Sequence, residues 1–245
     1  MYDTGYDYEA QSSPFYGDAK GMFNPRLGFI KKVYGILACQ IACTTLFVGA
    51  AYSIPGLYNF LHSAASVPTL IVAIVFSFIT MIMLSCYTSF ARTVPTNYIL
   101  LSVFTLCESY MVAWTTSYYD PKYAVIAGAL TASLTFALTI YACTTKTDFT
   151  YCGGLLFILG WAFCAFGFMM ILLKMNLLTT SVSFTIYCIF GVILYGIYLI
   201  YDTQLIVGGK RYELSMDDYV IGAMMIYLDI IIIFLKILQM LGNKK

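Results

Sequence analysis

Charge is scarce in this sequence: only 10% of its 245 residues are Asp, Glu, Lys or Arg, whereas 61% are hydrophobic. A water-soluble domain carries about 25% charged residues, so this composition excludes a soluble globular fold and indicates a polytopic membrane protein. The mean hydropathy of +0.83 agrees. Thirteen basic residues nearly balance twelve acidic ones, and that balance gives no reason to expect a nucleic-acid partner. Histidine occurs once, at His62. A single histidine rules out an HExxH zinc site, and no catalytic motif surrounds it, so it reads as a solvated loop residue. There is also no GxSxG and no Gly-rich phosphate loop. No enzyme activity and no cofactor are expected. Asn-x-Ser/Thr sequons and CxxC pairs are missing too. Most of the eight cysteines lie inside apolar runs and read as reduced packing residues. No signal-peptide pattern opens the chain, and its acidic start is unlike a mitochondrial transit peptide.

What the chain has in abundance is apolar runs. Residues 1–25 are polar, rich in Tyr, Asp, Gly and Ser, and are expected to form a flexible cytosolic tail. Residues 26–245 then read as one seven-segment transmembrane domain. Spanning segments of about 20 residues are predicted near 33–54, 67–88, 97–117, 123–143, 152–173, 181–205 and 218–241. The loops between them are short, so neighbours should pack antiparallel in one all-α bundle. No internal repeat is evident, which weighs against an inverted-repeat transporter. Gly128 with Ala132, and Gly160 with Gly167, offer small faces for close helix approach.

Orientation follows from Lys and Arg. Lys20, Arg26, Lys31 and Lys32 precede the first span, and Arg92, Lys146, Lys210 and Arg211 fall in alternate loops after it. The N-terminus is therefore expected in the cytosol. Lys236, Lys244 and Lys245 break this pattern if the last segment spans, and a re-entrant last segment would restore it. Both forms remain open at this stage.

Three acids lie in apolar runs: Glu108, Asp202 and Asp229. A charge at the bilayer centre costs about 2.5–3.5 kcal/mol on insertion scales, so such groups pair, face the bundle interior or line a water-filled path. The helical neighbours of Asp229 are Met225, Ile226, Ile232 and Ile233, none of which can satisfy it, so its partner must come from another helix. Asp202 is the candidate. Two carboxyls forced together share a proton, and when ionised they offer hard oxygen ligands for a transient Ca2+. Tyr198 and Tyr195, one and two turns before Asp202, could donate hydrogen bonds to it. In the bland alternatives, Asp202 is solvated near its helix end, Asp229 is a structural acceptor and Glu108 is satisfied by Thr105. Between the last two segments, Gly208-Gly209 supplies positions that close a helix, and Ser215 with Asp218 has the spacing of a capping box.

Several of these stretches resemble the transmembrane Bax-inhibitor-motif family. They are Tyr201-Asp202-Thr203-Gln204 with Gly208-Gly209-Lys210 and Tyr212-Glu213-Leu214-Ser215, Tyr227-Leu228-Asp229-Ile230-Ile231, Phe104-Thr105-Leu106-Cys107-Glu108, Lys146-Thr147-Asp148-Phe149-Thr150, and Lys31-Lys32-Val33-Tyr34-Gly35-Ile36-Leu37. The likeness runs from about residue 26 to the end and points to the lifeguard branch, which includes Golgi anti-apoptotic proteins. It implies a bundle around a central last helix, a pH-sensitive Ca2+ leak from Golgi or ER stores, and suppression of apoptosis. It also implies that Asp202 and Asp229 form the pH-sensing pair, with Glu108 near the ion path. The chain departs from the family pattern at Ile232, where Asn is usual, at Ser109, where Gly is usual, and at Lys236.

Ca2+, protons and the lipid bilayer are thus the expected partners, with homo-oligomers or other membrane proteins left open. A different class of function is an interaction protein acting through the Tyr-rich tail, with Ser12, Ser13 and Pro14. A proton-coupled transporter is a third, but no substrate-sized polar pocket can be read from the residues.

Overall fold

The computed structural model describes residues 25–175 and 181–242. All of the expected tail but Pro25 lies outside the described residues, as do Lys20, Lys244 and Lys245. The chain is all-helical and polytopic, and seven of the described helices are long and apolar enough to cross a membrane. In order, these are α1 (Pro25–Ser53), α3 (Ser66–Cys86), α5 (Thr96–Ser117), α6 (Pro121–Thr144), α7 (Gly153–Met175), α8 (Ser181–Val207) and α9 (Tyr219–Leu241). Two short helices, α2 (Pro55–Leu61) and α4 (Thr88–Arg92), and a 3-10 turn at Phe149–Cys152 fill connections that hydropathy leaves blank.

Helix starts follow proline. Pro25, Pro55 and Pro121 open α1, α2 and α6, where the missing N–H costs nothing and the fixed φ suits a helix. Helix α1 starts eight residues before the hydropathy estimate of 33. Hydropathy marks only the part that meets hydrocarbon, whereas a 29-residue helix is about 44 Å long at 1.5 Å per residue and stands out beyond it. At the other end of the chain, Gly208 and Gly209 take φ of +75° and +73° and close α8 as expected. The capping box does not form. Asp218 is the N-cap of α9 but makes no side-chain cap bond, because Arg92 takes its carboxylate through two hydrogen bonds of 2.8 and 3.0 Å.

Helix α9 is the core of the bundle. Its most apolar stretch is 56% buried, against 11–39% for the other spans, and it packs against α8, α1, α6 and α5. It is unbroken from Tyr219 to Leu241, which favours a full crossing over re-entry. At the periphery, α7 rests almost wholly on α8, and α3 on α5.

One end of the bundle gathers the basic residues. There Arg26 donates to the carbonyls of Leu205 (2.7 Å), Ile206 (2.9 Å) and Leu214 (2.8 Å), and the Lys32 ammonium sits 3.2 Å from the Tyr219 ring centre. Lys210 donates to the carbonyls of Thr145, Lys146 and Thr147. The Asp148 carboxylate accepts from the Thr150 hydroxyl (2.6 Å) and the Arg211 amide (3.1 Å). The Thr150 hydroxyl first, and the amides after it, hold the Asp148 carboxyl below its usual range.

Candidate functional site

The motif Tyr201-Asp202-Thr203-Gln204 lies one turn before the end of α8, and Gln204 anchors it. That side chain is 1% exposed; its Oε1 accepts from the Phe149 amide (2.8 Å) and its Nε2 donates to the Thr147 carbonyl (3.0 Å). With Arg26 on the carbonyls just beyond, the turn carrying Asp202 is fixed from two sides. Asp229 lies midway along α9, on the face turned to α8. The fold brings the two acids together: their carboxyls face each other within interaction range, and each residue is only 4% exposed. A hydrogen bond between two carboxyls requires a proton on one of them. Among the described residues, Asp202 Oδ1 and Asp229 Oδ2 have no conventional donor, and no third His, Cys, Asp or Glu joins the pair.

Asp202 is therefore not solvated at its helix end. The tyrosines behave differently from the sequence reading. The Tyr198 hydroxyl donates to the Leu156 carbonyl of α7 (2.5 Å) rather than to Asp202. The Tyr195 ring packs on Phe163 and Tyr198 and makes no hydrogen bond to either acid among the described residues. The Tyr198 hydroxyl points to α7 because that helix presents glycines to α8. A Cβ at Gly160 would collide with the Tyr198 hydroxyl, and one at Gly153 or Gly167 with that of Tyr201 or Tyr187. The Gly160/Gly167 face thus seats tyrosines. Gly128 and Ala132 instead line an open apolar groove of about 790 Å³ between α1 and α6, with nothing within 4 Å of a Cβ at Gly128.

Glu108 stands apart from the pair. Its Oε1 accepts from the Ser77 hydroxyl of α3 (2.6 Å). Thr105, its expected local partner, donates instead to the Leu101 carbonyl and accepts from the Gln40 amide (3.0 Å). Next to Glu108 runs a buried hydroxyl cluster that sequence reasoning missed. The Thr44 hydroxyl bonds both Ser109 (2.9 Å) and Tyr227 (2.8 Å), joining α1, α5 and α9. Ser109, 0% exposed, thereby gains a buried partner. Polar residues spaced four apart on α1 (Gln40 and Thr44) were the available signal. His62 is exposed, as expected, and is stacked on Tyr58, while all eight cysteines are free thiols.

Six spans bundled about a central seventh, with a carboxyl pair buried between the last two, define a polytopic helical membrane protein built around a buried acid dyad. The sequence profile of the family described as "Inhibitor of apoptosis-promoting Bax1" matches residues 26–245. The chain belongs to that family. It is 32% identical over 224 residues to Protein lifeguard 3 of Homo sapiens, covering 88% of this chain and 68% of that protein. To Protein lifeguard 4 of Mus musculus it is 33% identical over 251 residues, covering 99% and 98%.

Proposed function

We propose that this chain is a pH-regulated Ca2+ leak channel of Golgi or ER membranes that lowers stored Ca2+ and so suppresses apoptosis, with no enzymatic step. The family's description as an inhibitor of apoptosis-promoting Bax1 supports the anti-apoptotic part. The observation that carries the channel reading is the closely apposed, buried Asp202–Asp229 pair. With one proton shared, the pair ties α8 to α9 and the path is closed. Loss of that proton sets two carboxylates against each other in a low-dielectric interior, where like charges repel strongly. The helices part, and the freed oxygens become hard ligands that suit Ca2+ in transit. Glu108 offers a further carboxylate between α3 and α5, near the path. The basic end carrying Arg26, Lys32, Arg92 and Lys210 faces the cytosol by the positive-inside rule.

The test is Ca2+ efflux from liposomes containing the purified full-length chain, compared with empty liposomes. The expected result is a leak above background that grows as pH rises. Efflux equal to that of empty liposomes at every pH contradicts the channel reading.

A further inference from the structure

Lys236 is a cation inside the span that also carries Asp229, and its surroundings are built for it. It follows Asp229 by seven residues, two turns of α9, so both side chains leave the same face about 10 Å apart along the axis. Both meet α8: Asp229 at Asp202, and Lys236 at Tyr187, whose ring centre lies 4.4 Å from the ammonium. Phe163 of α7 completes an aromatic cage at 5.4 Å, its ring stacked on that of Tyr187 at 4.4 Å and 12°. Gly191 makes the room, since a Cβ there would stand 2.8 Å from the Phe163 ring and 3.1 Å from Lys236 Cγ. The ammonium has the Gln239 Oε1 at 3.5 Å, and no carboxylate pairs with it among the described residues. Aromatic faces hold an ammonium as a cation without neutralising it.

We propose that Lys236 is a tethered cation in the α8–α9 seam, beyond the carboxyl pair and away from the basic end, that sets the barrier to a metal cation approaching the pair from that side. This rests on the leak reading. A divalent ion passing along the seam meets a fixed positive charge where desolvation strengthens repulsion. The same charge lowers the local cation concentration at that mouth. Removing it lifts both restraints, while arginine retains the charge and the stacking.

The experiment measures Ca2+ flux through the full-length chain in liposomes for wild type, Lys236→Met, Lys236→Gln and Lys236→Arg. Thermal melts of each variant verify folding, and glutamine serves if methionine unsettles the packing. The expected result is a rise of roughly tenfold for the neutral variants, with Lys236→Arg at the wild-type rate. A wild-type leak that the neutral variants leave unchanged or diminished overturns this inference and spares the leak reading. No flux from any variant overturns both.

Discussion

The Arg26 guanidinium donates to the Leu205 carbonyl at 2.7 Å, tying the start of α1 to the last turn of α8, which ends 181 residues later at Val207. Free carbonyls at a helix C-terminus carry partial negative charge and need donors. Arg26 supplies them for Leu205 and Ile206, and reaches across to Leu214 as well. Charged hydrogen bonds of this kind contribute about 1.5–3 kcal/mol. Arg26→Ala is expected to lower stability by about that much, and Arg26→Lys to recover part of it, since a point charge cannot span the same carbonyls. Thermal melts of the detergent-solubilised protein give the ordering.

The glycine-seated tyrosines predict a contrast. Gly160→Ala drives a methyl into the Tyr198 hydroxyl, with an expected cost of about 1–3 kcal/mol. Removing that hydroxyl in the double variant Gly160→Ala, Tyr198→Phe relieves part of the loss, so the two changes are coupled. Gly128→Ala meets open space and should be neutral or slightly stabilising, because alanine favours helix over glycine.

Tyr227 anchors the hydroxyl cluster at 0% exposure. Tyr227→Phe leaves Thr44 bonded to Ser109 and to the Gln40 carbonyl but removes a buried partner. The expected cost is about 1–2 kcal/mol, read as a lower melting temperature. The aromatic packing on Phe104 is retained.

Asp148 gives a pH-dependent outcome outside the spans. Its carboxyl is held below the usual range by the Thr150 hydroxyl and by amides including that of Arg211. Because the folded value lies below the unfolded one, the stabilisation is present above the usual carboxylate value of about 4 and is lost as pH falls through the folded value. Hydrogen exchange of the Lys210–Ser215 loop should therefore lose protection in that acidic window in the wild type. In Asp148→Asn the loop should lack that step.

Much of the architecture was legible because it follows from hydropathy: seven spans, the closing glycines after Val207, and the pairing demand of an acid flanked by Met225, Ile226, Ile232 and Ile233. What was not legible depended on competition between partners. Asp218 has capping-box spacing, but a bidentate guanidinium outbids a backbone amide for its carboxylate. Tyr198 is placed one turn from Asp202, yet the glycine face of α7 offers its hydroxyl a carbonyl. Glu108 has Thr105 beside it, but a threonine hydroxyl in a helix bonds back to the carbonyl four residues before it, here Leu101, leaving the acid to Ser77. In each case local spacing proposed a contact and a more distant helix supplied a better one. The path of Arg26 across the bundle has no local signature at all.

The central claim is that a single proton on the Asp202–Asp229 pair controls the path. The most direct measurement is Ca2+ flux against pH for wild type, Asp202→Asn and Asp229→Asn in the same liposomes. A sigmoidal rise with pH is expected in the wild type and a flat profile in both variants, since a neutral amide donates to the remaining carboxylate and no second charge arises to repel it. A rise of the same shape and midpoint in Asp229→Asn would contradict it and remove the pair from the gate.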